Sequence, residues 1–287
     1  MTVQLPGNLE TRPMTVLGAG TLGRRIALML ATQGGEVRLY DLAPRVREEA
    51  SEFIAEHLPE VVRQRGNGKA GHVIAEDNLT SALSDSWLVV EAIPEKLELK
   101  RQVFGDLDRQ APADAVLASN SSSYPTSEFI NRVEKPERVL NTHFMMPPEI
   151  SSVELMANGK TDPAIMKLMA ETLPRYGFTP YLVEKESIGF IFNRIWAAIK
   201  REALTVVAEG VAEPKAVDAI FAQNFGMKDG PCRMMDKVGL DVVLAIEEHY
   251  AHENPNLSET PRKLLKNMIA SGRLGQKSGR GFYDYQA

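Results

Sequence analysis

Apolar residues along this chain fall into short runs separated by polar or glycine-bearing breaks. Met14 to Leu17 is a four-residue apolar run ending at Gly18, and it predicts a buried strand. Ile26 to Ala31 predicts a buried helix, and Val37 to Asp41 a second strand that ends in an acid. Strand, glycine turn, helix and strand make one βαβ unit. Pro44 to Arg65 is charged and helical in pattern, and Gly66 to Gly71 is a polar break. Further strands are predicted at Trp87–Ala92, Ala115–Asn120, Val139–Phe144, Val153–Met156 and Thr179–Val183, with an amphipathic helix at Leu97–Leu107. The alternation predicts a mostly parallel sheet covered by helices on both faces. The pattern changes near Ser187. Ile188, Ile191, Ile195, Ile199 and Leu204 recur at helical spacing, and Val238 to His249 predicts another apolar helix. Thr260-Pro261 is a helix start and Gly272 a plausible stop. We therefore expect an α/β domain over residues 1–186 and an all-α C-terminal domain over residues 187–287.

Composition narrows the function classes. The 287 residues are 44% hydrophobic and 25% charged, enough apolar material to bury a core. The net charge of −5 disfavours a protein that coats nucleic acid or an anionic membrane. No stretch reaches the roughly 18–20 apolar residues of a bilayer span. Met1 to Pro13 has no apolar signal core, and Tyr285-Gln286-Ala287 is not a peroxisomal address. Cys232 is the only cysteine, so an intrachain disulfide is impossible. The expectation is a reducing, cytoplasmic setting and a small-molecule substrate.

Gly18, Gly20 and Gly23 have the G-x-G-x-x-G spacing between a predicted strand and a predicted helix. The first glycine permits the tight turn, the second lets a pyrophosphate approach the backbone, and the third lets helix and strand pack closely. The helix N-terminus then offers N–H groups to phosphate. Asp41 lies 18 residues past Gly23, where an acid can accept from ribose hydroxyls and would repel a 2′-phosphate. Arg45 is close enough to leave the second point open. The fold class is thus a Rossmann-type domain, the cofactor NAD, and the candidate contacts Gly18, Gly20, Thr21, Leu22, Gly23 and Asp41.

Ligands of open α/β sheets bind beyond the carboxyl ends of the strands. Three such ends are polar here: Ser119-Asn120-Ser121-Ser122-Ser123, His143, and Pro94-Glu95 with Lys100 beyond it. Alone, a serine run is usually a loop and a single histidine is more often structural. Glu154 lies 11 residues past His143, so periodicity does not pair them. Oxidising an alcohol with NAD needs a base near working pH, which histidine supplies, and a carboxylate behind the imidazole would fix its tautomer.

These stretches together resemble the L-3-hydroxyacyl-CoA dehydrogenase family over nearly the whole chain. The matching segments are Gly18–Gly23, Val89–Glu95 with Lys100, Ser119–Ser123, Thr142–Phe144, Val153–Leu155, Gly189–Arg194 and the terminal Gly275–Tyr283. The resemblance implies His143 as catalytic base, Glu154 as its orienting acid, and Ser122 and Asn193 as contacts to the substrate oxygen. It implies Glu95, Lys100 and Asn120 along the cofactor site, no metal, a helical substrate and dimerisation domain, and a homodimer. Part of the apolar surface of Ile188–Leu204 and Val238–Ile246 would form the dimer interface. His249 and His252, with Glu248 and Glu253, are better read as a polar helix end than as metal ligands.

Two departures bear on the substrate. The family's His-Phe-Phe-Asn-Pro string is here His143-Phe144-Met145-Met146-Pro147, so Met146 replaces a hydrogen-bonding side chain. The segment from Asp41 to Glu91 is about eleven residues shorter than in the fatty-acid-oxidation members, where it holds a helical hairpin that helps bind CoA. Arg63, Arg65 and Lys69 could still meet CoA phosphates, though a solvated charged face is their simpler reading. A dehydrogenase of a free 3-hydroxy acid, such as L-gulonate or carnitine, is therefore the alternative. A non-catalytic dinucleotide-binding protein is a third reading, which the set Ser122, His143, Glu154 and Asn193 argues against.

Overall fold

The computed structural model describes residues 3–285; Met1, Thr2, Gln286 and Ala287 lie outside the described residues, and with them parts of the N-terminal and tripeptide readings. The chain divides into two compact units, Met1–Ile191 and Phe192–Ala287. The first runs β1 (Met14–Leu17), α1 (Thr21–Leu30), β2 (Glu36–Tyr40), α2 (Pro44–Arg65), β3 (His72–Glu76), α3 (Leu79–Leu83), β4 (Leu88–Glu91), α4 (Leu97–Gln110), β5 (Val116–Ser119), β6 (Val139–Phe144), β7 (Ser152–Ala157), α5 (Pro163–Thr172) and β8 (Thr179–Val183). The sheet order is β3-β2-β1-β4-β5-β6-β7-β8. Every neighbouring pair is parallel except β6 and β7. Strands β1, β4, β5 and β6 are buried along their whole length, which is why β1, β4 and β5 read as short, largely apolar runs, while β6 buries Asn141, Thr142 and His143 within it. Helix α1 buries Ile26 to Leu30 against one face of the sheet, and Phe104 and Leu107 of α4 belong to a second apolar cluster with Leu17, Val89 and Leu117.

The region of Gly66 to Gly71 leads into an unforeseen strand. β3 lies at the edge of the sheet and exposes three of its five residues, so it carries no buried run. No helical hairpin stands between Asp41 and Glu91. That segment holds the single 22-residue helix α2, ended by Gly66 in the left-handed conformation, then β3 and the five-residue α3.

Residues 187–191 stay with the first unit. The Ser187 N–H donates to Met156 Sδ (3.3 Å), and Phe190 is buried with Met156 and Val183. The apolar periodicity that begins at Ile188 therefore overshoots the helix, because Gly189 (φ 75°) and Phe190 (φ 53°) form a turn. The second unit contains α6 (Phe192–Ala208), α7 (Pro214–Phe225), α8 (Pro231–Val238), α9 (Leu240–Glu253) and α10 (Thr260–Ala270). Gly239, at φ 103°, separates α8 from α9, so Val238 ends one helix rather than starting the next. Leu204, Cys232, Met235, Leu240, Val243 and Leu265 form this unit's core.

Candidate active site

The glycine turn leaves β1 where the strand order reverses. Successive connections run to opposite sides of β1 and β4, leaving a crevice at their carboxyl ends. A Cβ on Gly18, whose φ is +95°, would stand 2.5 Å from the Ala92 carbonyl oxygen. One on Gly23 would stand 1.8 Å from the Gly18 carbonyl oxygen, so strand and helix pack here without side chains between them. Gly20 has open space at its Cβ position and caps α1 without any side-chain bond. The first N–H groups of α1, at Thr21 and Leu22, lack intrahelical acceptors and suit a phosphate anion. Asp41 accepts from the Ala19 N–H through Oδ2 (2.9 Å) and from the Ala43 N–H through Oδ1 (2.9 Å). A carboxylate has about four acceptor positions, so two remain for ribose hydroxyls. Arg45 is committed to Glu49 at 2.7 Å. The crevice thus fits a dinucleotide with an unphosphorylated ribose.

A second layer joins β4, β5 and α4. Glu91 is fully buried at the end of β4 and accepts from Lys100 Nζ (2.8 Å), the Ile93 N–H (2.9 Å) and Ser119 Oγ (2.6 Å). Lys100 also pairs with Glu95 at 3.0 Å. Burial opposes the charge on Lys100, but the two carboxylates outweigh it and raise its pKa above the ordinary lysine value. It is therefore a cation shared by Glu91 and Glu95. The serine run divides by role. Ser119 and Ser121 turn inward to Glu91 and Glu95, whereas Ser122 lines a cavity of about 140 Å³ with Leu22, Glu95, Lys100, Asn120 and His143. Asn120 accepts from the Phe144 N–H through Oδ1 (3.0 Å), which leaves its amide nitrogen as a donor at the cavity wall. Glu91 was not a predicted site residue. The signal for it is an acid ending the apolar run Leu88-Val89-Val90, since a buried charge requires a partner.

The third layer is the antiparallel pair. His143 on β6 lies directly opposite Glu154 on β7, and this register accounts for their 11-residue separation. Both side chains are buried, and His143 Nδ1 lies 2.8 Å from Glu154 Oε2. Glu154 Oε1 accepts from the Ile191 N–H at 2.8 Å. The Phe190 ring packs on the imidazole, with centroids 5.1 Å apart and planes at 37°. Phe190 holds φ at 53°, a left-handed conformation that costs a bulky residue about 1–3 kcal/mol. Sequence reasoning did not single out Phe190. Glu95, Lys100, Asn120, Ser122, His143 and Glu154 thus belong to one neighbourhood, while Asn193 stands in the first turn of α6 in the second unit.

Comparison with known proteins agrees with this geometry. The model of the 3-hydroxyacyl-CoA dehydrogenase NAD binding domain matches residues 13–187, and that of the same family's C-terminal domain matches residues 189–285. The chain belongs to the 3-hydroxyacyl-CoA dehydrogenase family, and it is an NAD-dependent oxidoreductase. It is 32% identical over 283 residues to a 3-hydroxybutyryl-CoA dehydrogenase of Mycobacterium tuberculosis, covering 94% of this chain and 97% of that one. It is 30% identical over 284 residues to the 5-formyl-3-hydroxy-2-methylpyridine 4-carboxylate 5-dehydrogenase of Mesorhizobium japonicum, covering 96% and 91%. The (S)-3-hydroxybutyryl-CoA dehydrogenase of Ralstonia eutropha superposes with a TM-score of 0.85 at 26% identity, covering 96% of this chain and 100% of that structure.

Proposed function

We propose that His143 is the base of this dehydrogenase and that its substrate is an L-3-hydroxyacyl-CoA. The observation that carries the reading is the 2.8 Å contact between His143 Nδ1 and Glu154 Oε2 at the wall of the polar cavity. It fixes Nδ1 as the proton-bearing nitrogen facing the carboxylate and leaves Nε2 to take the hydroxyl proton. Glu154 then stabilises the imidazolium that forms. Ser122 and Asn193 hold the substrate oxygen, and the Asn120 amide donates beside them. Gly18, Gly20, Thr21, Leu22 and Gly23 hold the cofactor's pyrophosphate, Asp41 its ribose, and Glu95 with Lys100 the cavity wall next to it. Bound NAD+ supplies the hydride acceptor for the alcohol carbon.

The unit Phe192–Ala287 serves as the substrate and dimerisation domain of a cytoplasmic homodimer that works in fatty-acid metabolism. Exposed Ile195, Val211, Ile220 and Phe225 support the dimer as apolar surface left to cover. Among the described residues, no helix is long and apolar enough to cross a membrane. The test is NADH oxidation with acetoacetyl-CoA and, in parallel, free acetoacetate. Turnover of the thioester with little of the free acid is the expected result. Turnover of the free acid alone would move the assignment to a 3-hydroxy acid.

A further inference from the structure

Oxidising an alcohol at this site relocates a positive charge. The C–H bond breaks, and the hydrogen leaves with its electron pair as hydride, which neutralises the cationic ring of NAD+. The O–H bond breaks, and its proton passes to His143 Nε2, which becomes an imidazolium. Glu154, 2.8 Å behind the imidazole, faces the charge that appears. The charge that disappears belongs to a hydride acceptor that must touch the same carbon, so it lies in the cavity that His143 lines.

Among the described residues lining that cavity, all of the first unit, Lys100 is the one permanent cation, and Glu91 and Glu95 are the two acids. Glu91 Oε1 accepts from Lys100 and the Ile93 N–H, and its Oε2 accepts from Ser119. Glu95 Oε1 accepts from Ser121 Oγ (2.5 Å) and the Ser123 N–H (3.0 Å), and its Oε2 faces Lys100 at 3.0 Å. Each of these partners is a donor, the pattern of an ionised carboxylate. The serines agree with it. Ser119 Oγ accepts from the Ser121 N–H (3.2 Å) and Ser121 Oγ from the Tyr124 N–H (2.9 Å), which leaves each hydroxyl proton for its carboxylate.

One lysine therefore stands against two carboxylates, and the cluster carries one net negative charge. Glu91 and Lys100 are a fully buried pair that balances itself. Glu95, with 34% of its side chain exposed, brings the unbalanced charge to the cavity. A hydrogen bond from Glu95 to a ribose would hold both cofactor forms alike; its charge acts differently on a cationic and a neutral ring.

We propose that Glu95, held in place by Lys100 and Ser121, makes the protein distinguish the oxidation state of its cofactor, favouring the cationic ring of NAD+ over the neutral ring of NADH. The inference rests on His143 as the base, which places the ring in this cavity. The experiment measures the binding of NAD+ and of NADH by calorimetry on one preparation, without substrate. Adenosine, pyrophosphate and both riboses are common to the two forms, so the ratio of their dissociation constants isolates the ring. Glu95→Gln weakens NAD+ about fivefold and leaves NADH near wild type, which also shows that the variant folds. Ser121→Ala takes one hydrogen bond from Glu95 but no charge, and it keeps the wild-type ratio. In wild-type protein, raising ionic strength from about 0.01 M to about 1 M moves the ratio in the same direction as Glu95→Gln. Equal weakening of both forms by Glu95→Gln, an unmoved ratio, or an equal shift in Ser121→Ala overturns the proposal. If Glu95→Gln binds neither form, the salt series decides alone, and a ratio that salt leaves unmoved overturns it. Failure of the base assignment reads out separately, as turnover retained by His143→Ala.

Discussion

Around His143 each partner fixes a different degree of freedom. Glu154 Oε2 sets the tautomer, the Ile191 N–H holds the opposite carboxylate oxygen, and Phe190 holds the plane of the ring. Glu154→Gln keeps the shape but removes the charge that supports the imidazolium. Its kcat should fall by about 10²- to 10⁴-fold, with NADH binding intact; activity near wild type would remove Glu154 from the mechanism. Phe190→Leu keeps an apolar side chain but loses the aromatic face. It should lower kcat about tenfold while leaving the KM for NADH unchanged, since only the orientation of the base is loosened. A variant that instead loses NADH affinity would mark Phe190 as a general packing residue. Glu154 was legible only through the family resemblance, because an antiparallel register pairs residues that no helical or strand period connects. Phe190 gave no sign in the sequence of its positive φ.

Among the elements, the fully buried strands were the most legible and the exposed ones the least. Leu88–Glu91 is continuous apolar sequence up to its polar end, whereas β3 has polar and apolar positions without a clear period. The segment Gly275–Tyr283 shows what its glycines are for. Asp236 of α8 is fully buried and accepts from the Phe282 N–H (2.9 Å), the Tyr283 N–H (3.1 Å) and Tyr285 Oη (2.9 Å). A Cβ on Gly281 would stand 2.0 Å from Asp236 Oδ1. Gly281→Ala should therefore destabilise the second unit by about 1–3 kcal/mol, read as a lower Tm; an unchanged Tm would show that the segment gives way freely. At the amino ends of the strands, Arg12 makes a two-pronged contact with Asp114 (2.7 and 2.9 Å) and also donates to the carbonyls of Asp85 and Ser86. The Arg12 hydrogen bond holds Asp114 below the ordinary carboxylate range. The stability from this depressed pKa is fully present above the unfolded value near pH 4, and it is lost as pH falls through the folded value. Asp114→Asn should lose about 1–2 kcal/mol at neutral pH and converge on the wild type in strong acid. Parallel Tm curves across the acid range would contradict this.

For the whole molecule, the order of strands and helices was readable because a parallel sheet buries its strands on both faces and a glycine turn punctuates the first crossover. The second unit was readable as helical, but its breaks were not, since Gly239 interrupts an apolar stretch that otherwise looks continuous. Its exposed apolar side chains lead to an expectation about assembly: light scattering should give twice the chain mass, and a single-chain mass would leave those residues unexplained. The catalytic assignment joins all these scales, because it needs the crevice at β1 and β4, the β6–β7 register and the turn at 189–191 at once. Its most direct test is His143→Ala, followed by NADH absorbance with acetoacetyl-CoA and by NADH binding in the same preparation. Loss of about 10³-fold or more in turnover with unchanged NADH binding is the predicted result. Turnover close to wild type would contradict the role of His143 and the mechanism built on it.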